Sequence, residues 1–179
     1  MVESPVARLW LGRALFIGLM LLLMFIQLLP LQTAPQKWAA PDIILATTLL
    51  WTARRPDLVP VWSVALIFVI ADLLFLRAPG LMAALVVIAT EILRARAHDL
   101  RAAPFPVEWM TAGFLIIGVT IGNRAVLAVV MTAQAPLALT LTQMALTIIA
   151  YPVVAVLSQV LFGINRPAPG EVDSRGQKI

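Results

Sequence analysis

The chain has 179 residues, of which 61% are hydrophobic and only 12% are charged. A soluble domain has about 45–50% apolar and about 25% charged residues, so this composition predicts that much of the surface faces lipid. Cysteine is absent, which excludes disulfides, thiolate metal sites and cysteine nucleophiles. The net charge is +4, but the basic residues form short clusters between apolar runs, a pattern that indicates membrane topology and not nucleic-acid binding.

Six apolar runs follow one another along the sequence. The first, 14–31, is too long for the apolar core of a signal peptide and is predicted to be a retained helix. The second, 41–53, would rise only about 20 Å, which is less than the hydrocarbon core of about 30 Å. Either the residues near Trp38 lengthen this helix, or it lies short and shielded inside the bundle. The other runs are 58–76, 81–93, 107–133 and 136–164, and they precede a polar tail, 165–179, that is predicted to be disordered.

Basic residues are distributed unevenly among the loops, and this distribution predicts the orientation. With a cytoplasmic N-terminus, the outer loops carry only Lys37 and Arg77, while Arg124 lies inside a span. Because cytoplasmic loops are enriched in Lys and Arg, both termini are predicted to be cytoplasmic. The sequence therefore predicts an all-α membrane protein, a bundle of six transmembrane helices in the cytoplasmic membrane. The basic residues on the predicted cytoplasmic side are Arg8, Arg13, Arg54, Arg55, Arg94, Arg96, Arg101, Arg166, Arg175 and Lys178.

Asp72 is the most informative candidate residue, because a carboxylate deep in a span normally faces the bundle interior and has a partner. By helical rise, Asp72 and Arg124 lie at similar heights, about 21 Å and about 26 Å from the inner ends of their spans. The sequence predicts that they pair, either as a structural contact or at a substrate or partner site, with Arg77 as the competing partner of Asp72. Glu91 lies three residues before Arg94 and is predicted to pair with it at the cytoplasmic interface.

Proline marks two further positions. Pro41 can occupy the first turn of the second helix, where Asp42 would complement the positive helix end. Pro152 lies inside the last span and is expected to kink it, because it removes one backbone hydrogen bond. The kink either only shapes the helix or opens a polar cavity.

Five tryptophans fall near predicted span ends, as an aromatic belt requires: Trp10, Trp38, Trp51, Trp62 and Trp109.

Enzyme signatures are missing from the sequence. It contains no H-E-x-x-H motif, no G-x-S-x-G nucleophile turn and no glycine-rich phosphate loop. Asp72 and Glu91 lie toward opposite faces of the membrane, which argues against a carboxylate dyad. The single histidine, His98, makes a poor metal site by itself. We therefore expect no catalytic residue, no cofactor and no metal ion.

Four features, in a fixed order along nearly the whole chain, carry a family resemblance. Pro41-Asp42 begins an apolar helix that ends in Leu50-Trp51 and the turn Arg54-Arg55-Pro56. The third span carries Asp72, seven residues before the turn Pro79-Gly80-Leu81. The fourth span ends in a basic loop, and the last contains Tyr151-Pro152. In these features the chain resembles the MreD family of bacterial rod shape-determining membrane proteins. It departs from the family pattern in lacking glycines around the aspartate and in its longer, less basic tail.

The resemblance implies a non-enzymatic subunit of the cell-elongation machinery in the cytoplasmic membrane of a rod-forming bacterium. Direct binding to MreC is implied, together with an assembly that contains MreB, RodA and a penicillin-binding transpeptidase. The resemblance also implies a shape similar to the substrate-binding subunits of energy-coupling-factor transporters. Membrane lipid is an expected partner and nucleic acid is not.

Two other functions stay open. A small-molecule transporter, or its membrane substrate-binding subunit, would use Asp72, Arg124 and the Pro152 kink as an internal polar site. A ligand-sized polar cavity that opens on the outer side would favour this function. An intramembrane hydrolase would need a second catalytic group, which the sequence does not supply.

Overall fold

The computed structural model describes residues 5–29 and 39–164, and the regular structure in these ranges is entirely helical. The predicted tail 165–179 lies outside the described residues. A short 3-10 helix spans Pro56–Leu58. The α-helices are α1 (Pro5–Leu28), α2 (Ile43–Arg54), α3 (Val61–Leu74), α4 (Leu81–Ala95), α5 (Ala97–Ala102), α6 (Phe105–Val129) and α7 (Leu137–Phe162).

Three of these helices, α1, α6 and α7, are long and apolar enough to cross a membrane, and α2 and α3 are shorter apolar helices. For residues 5–29 and 39–164, the prediction of an all-helical fold with helices that could cross a membrane is therefore confirmed. Helix α1 begins at Pro5, nine residues before the predicted start at residue 14. Hydropathy marks only its apolar part, whereas arginine is a good helix former and can extend its charged group away from lipid.

The short helix α2 lies inside the bundle. All of its residues from Ile44 to Arg54 are buried, which confirms the shielded alternative. The hydroxyl groups of Thr47, Thr48 and Thr52 donate to backbone carbonyls four residues earlier, so burial leaves none of these donors unsatisfied. A central helix surrounded by other helices need not match the thickness of the hydrocarbon core.

Two predicted details of the later spans are wrong. The polar segment 94–106 is not a simple loop, since Arg94 belongs to α4 and the segment also contains α5. The weak helix formers Gly122 and Asn123 predict an interruption of the run 107–133, but α6 continues through them without a break and ends at Val129, four residues before the predicted end at 133. A short polar stretch within a long apolar helix does not interrupt it.

Helices α3 and α4 form one antiparallel pair, and helices α6 and α7 form another. Asp72, near the end of α3, contacts Ala83 near the start of α4, so these helices are antiparallel. Trp109 and Arg124 of α6 contact Ile148 and Thr140 of α7, which makes this pair antiparallel as well.

Helices α2 and α7 run in the same direction, because Asp42 and Trp51 contact Thr147 and Ser158 in the same order. Arg94, near the end of α4, donates to the carbonyls of Pro56 and Val59, just after the end of α2. Helices α2, α4 and α7 therefore end at one end of the bundle, which we call the Arg54 end. They begin at the opposite end, where α3 and α6 finish, and we call this the Arg77 end.

Candidate functional site

Arg54 and Glu108 form a buried ion pair at the Arg54 end. Arg54 is the last residue of α2, and its Nε donates to Oε1 of Glu108, in the first turn of α6, at 3.0 Å. The two side chains are 6% and 3% exposed. A terminal guanidinium nitrogen of Arg54 also donates to the backbone carbonyl of Ile164, which follows α7, at 3.2 Å. One arginine therefore connects three helices.

Tyr151 and Trp51 extend this cluster between α2 and α7. The hydroxyl of Tyr151 donates to Oε1 of Glu108 at 3.2 Å, and Nε1 of Trp51 donates to Oγ of Ser158 at 3.3 Å. Both aromatic side chains are fully buried. The prediction that Trp51 belongs to an aromatic belt is therefore wrong, because α2 lies inside the bundle and places the indole in the core.

The other tryptophans have mixed environments. Trp10 and Trp62 are exposed on the surface, as a belt requires, and Trp109 is half-buried. Trp38 lies outside the described residues.

Pro152 lies beside Tyr151 within α7, which is helical throughout. Because proline has no N–H, the carbonyl of Ile148, four residues earlier, loses its helical hydrogen bond. Trp109 of α6 donates its Nε1 to that carbonyl at 2.8 Å. A side chain from the neighbouring helix thus replaces the bond that Pro152 removes, while the kink at Pro152 stays a prediction.

Glu108 is the functional candidate that sequence reasoning missed. It lies within the predicted run 107–133, which hydropathy alone marks as an apolar segment. Two signals were present: a carboxylate inside a span requires a partner, and Arg54 ends a span at the same predicted membrane face. Arg55 has a different environment from Arg54, since it is exposed and only its backbone N–H caps α2, by donating to the Trp51 carbonyl at 2.7 Å.

Asp72 joins the end of α3 to the start of α4. Its side chain is fully buried, and Oδ2 accepts from the backbone N–H of Ala83 at 3.3 Å. Gly80 precedes α4 in a left-handed conformation with φ of 80°, which glycine adopts without steric cost, and Pro79 lies just before it. Oδ1 of Asp72 is buried and has no hydrogen-bond partner among residues 5–29 and 39–164.

The predicted pairing of Asp72 with Arg124 is wrong. Arg124 instead donates to the carbonyl of Ala135 at 3.0 Å and to Oγ1 of Thr140 at 2.8 Å. Similar height along two helices did not determine the direction of each side chain around its helix axis. Asp72 faces α4, whereas Arg124 faces the start of α7. Arg77, the competing partner, interacts electrostatically with Asp72, and its guanidinium lies 5.1 Å from the Phe75 ring centre.

Asp42 is the N-cap of α2, and its Oδ1 accepts from the backbone N–H of Leu45 at 2.9 Å. Its own N–H donates to Oγ1 of Thr147 at 2.8 Å and ties α2 to α7. Pro41 precedes this cap and does not occupy the first turn, because the helix begins only at Ile43.

Glu91 and Arg94 form the predicted pair, with Nε of the arginine 2.9 Å from Oε1 of the glutamate. Arg94 also donates to the carbonyls of Pro56 and Val59, at 3.1 and 2.7 Å. The same arginine therefore fixes the end of α4 to the turn before α3.

A polar cavity of about 340 Å³ lies at the Arg77 end, between α2, α4, α6 and α7. Arg77 and Arg124 supply positive charge to its wall, and Asp42 supplies one carboxylate. A second cavity, of about 370 Å³, shares Asp42, Arg77 and three further wall residues with the first. The neutral polar residues of the first cavity are Thr120, Asn123, Thr132, Gln134, Thr140, Gln143 and Thr147.

Across the described part of the chain, no group of three or more His, Asp and Glu side chains could hold a metal ion. No protein-family model, curated protein or solved structure matches the chain.

Proposed function

We propose that this protein is a non-enzymatic membrane subunit of a bacterial cell-elongation machinery, of the MreD type. The observation that carries the proposal is where the motif residues of the resemblance lie. Arg54 and Tyr151 meet in one buried cluster with Glu108, Trp51 connects α2 to Ser158 of α7, and Asp72 with Gly80 forms the junction of α3 and α4. The residues that carry the resemblance therefore connect helices, which is the role expected of motif residues in an assembly subunit without chemistry of its own.

We further propose six passes through the cytoplasmic membrane, with both termini in the cytoplasm. The alternating directions of the helices support this topology, since α1 also runs antiparallel to α2, with Phe16 against Trp51 and Met20 against Thr48. So does charge, because Arg54, Arg55, Arg94 and Arg96 all lie at the Arg54 end, which would be cytoplasmic under the positive-inside rule. Helices α2, α3 and α4 have 12, 14 and 15 residues and rise about 18–23 Å, so they would cross a locally thinned bilayer or one shielded by the longer helices.

Partner binding would use the apolar outer faces of the long helices. Leu22 of α1, Phe114 of α6 and Val160 of α7 are exposed. Because lipid is as apolar as these side chains, packing rather than hydrophobic burial would drive association with a single-span partner such as MreC. The proposed assembly would also contain MreB, RodA and a penicillin-binding transpeptidase.

Depletion in the source cells tests this function. We expect rod-shaped cells to become round or wide, while purified peptidoglycan synthesis enzymes keep their activity. A photo-crosslinking residue at position 22, 114 or 160 should capture an MreC-type partner from at least one helix. The same residue at Leu49, which is fully buried, is the matched control and should capture none. Normal rod shape after depletion would contradict the proposal.

A second candidate is the membrane substrate-binding subunit of a transporter, and the cavity at the Arg77 end favours it. Its volume of about 340 Å³ is within the range of about 300–1,000 Å³ for small-molecule sites, and under the proposed topology it faces outward. Loss of uptake of one solute, with rod shape retained, would decide for this candidate.

A further inference from the structure

We propose that the cavity at the Arg77 end binds a phosphate group. This goes beyond the assembly role and does not depend on it. The first argument is charge. Two guanidinium groups, Arg77 and Arg124, share the wall of the cavity with a single carboxylate, Asp42. Asp72, which is not a wall residue, interacts with Arg77 from α3. Oδ1 of that carboxylate already accepts the backbone N–H of Leu45, so one of its oxygens is engaged in capping α2.

The second argument is that Arg124 is held in place without a carboxylate. Its hydrogen bonds go to the Ala135 carbonyl and the Thr140 hydroxyl, both neutral groups. The side-chain amide of Gln134 donates to the Arg124 carbonyl at 3.2 Å and fixes the same segment. A guanidinium positioned by neutral acceptors keeps its positive charge uncompensated and has further N–H donors for an anion.

The third argument is the direction of the helices around the cavity. Helices α2, α4 and α7 all begin at this end, so the positive ends of three helix dipoles lie there. Carboxylates accept backbone N–H groups at two of these starts, Asp42 at α2 and Asp72 at α4. Helix α7 begins after Pro136 with no side-chain cap. Ala135 and Thr140, on either side of that start, belong to the cavity wall.

Neutral donors complete the site. The side-chain amides of Asn123 and Gln143 lie in the cavity wall, and neither has a hydrogen-bond partner among residues 5–29 and 39–164. A phosphate group presents acceptor oxygens in several directions, which suits two guanidinium groups and two amides. Either a soluble anion or the headgroup of an acidic lipid offers this chemistry.

The test uses the full-length protein purified in detergent and two probes, inorganic phosphate and phosphatidylglycerol, with phosphatidylcholine as the neutral lipid. Native mass spectrometry and equilibrium dialysis measure binding. We expect Arg77→Gln and Arg124→Gln each to weaken binding of the preferred probe by about tenfold, the effect of one charge-assisted hydrogen bond. Arg96→Gln makes the same charge change at an exposed arginine of the Arg54 end and should bind like the unchanged protein.

The outcomes are separable. Phosphate binding without lipid preference identifies a soluble anion, and selective retention of phosphatidylglycerol identifies a lipid headgroup. Arg77 is exposed and donates no side-chain hydrogen bond within the described residues. Arg77→Gln therefore tests the anion site even if Arg124→Gln fails to fold. Failure to bind either probe, or equal weakening by all three variants, would overturn the site. Cell shape after depletion is a separate readout, so the assembly role can stand when this site does not.

Discussion

Arg54 and Glu108 show how the protein keeps charged groups inside an apolar bundle. Both side chains are almost fully buried. Arg54 also donates to the Ile164 carbonyl, and Glu108 also accepts from the Tyr151 hydroxyl. A buried pair of this kind contributes little net stability compared with apolar residues of similar size. Removal of only one of the two side chains is different, because the other then loses its ion-pair partner inside the bundle.

We therefore predict strong non-additivity at this pair. Arg54→Ala and Glu108→Ala should each lower the free energy of unfolding by about 3–5 kcal/mol, because each breaks a buried ion pair and leaves the other charge without this partner. The Arg54→Ala/Glu108→Ala double variant should be less destabilised than the sum of the single changes. Reversible unfolding in mixed micelles measures all three.

The exposed pair of Glu91 and Arg94 gives the control for this prediction. Glu91→Ala should change stability by about 1 kcal/mol or less, since solvent screens a surface pair. Additive effects of the two changes at Arg54 and Glu108 would show that these side chains do not interact in the folded protein.

At the scale of the element, helix α7 combines a helix-breaking residue with an uninterrupted helix. The carbonyl of Ile148 is deprived of its partner by Pro152 and receives the Trp109 indole N–H instead. This contact also fixes α6 against α7. The carbonyl that Pro152 leaves without a helical partner in α7 therefore helps to hold α6 in place.

A double-mutant cycle tests this substitution of one donor for another. Trp109→Phe should cost about 1–3 kcal/mol, because it leaves the Ile148 carbonyl without a donor. In a Pro152→Ala background the cost should be smaller, because the alanine restores the backbone N–H that serves this carbonyl. Thermal unfolding of the four proteins measures the coupling. Trp62→Phe, at an exposed tryptophan, controls for the general effect of losing an indole. If Trp109→Phe costs the same with Pro152 in place and in the Pro152→Ala background, the proposed replacement of the hydrogen bond is wrong.

At the scale of the whole molecule, orientation follows from the position of the basic residues. Reporter fusions after Gln32 and Ala135 should report the outer side, and fusions after Pro56, Ala103 and Gly170 the cytoplasm. The physical reason is the cost of moving clustered Arg and Lys across the membrane during insertion. An outer signal at Ala103 would contradict the six-span topology, because the segment before it carries Arg94, Arg96 and Arg101.

The sequence by itself determined the helical class, the presence of helices that could cross a membrane, and the approximate limits of the main helices other than the start of α1. It also predicted the local Glu91–Arg94 pair correctly, and it placed Asp42 at the positive end of α2, where the structure has it as the N-cap. These features depend on composition and on neighbours within one helical turn, which the linear order of residues specifies directly.

Only the tertiary structure decided which distant side chains meet. Asp72 and Arg124 lie at similar heights yet face different helices, and Glu108 pairs with Arg54 across 54 residues of sequence. The physical reason is that helical rise fixes height, whereas the rotation of each helix and its choice of neighbours fix direction. Those depend on the packing of all the helices together, and the same packing creates the cavity at the Arg77 end.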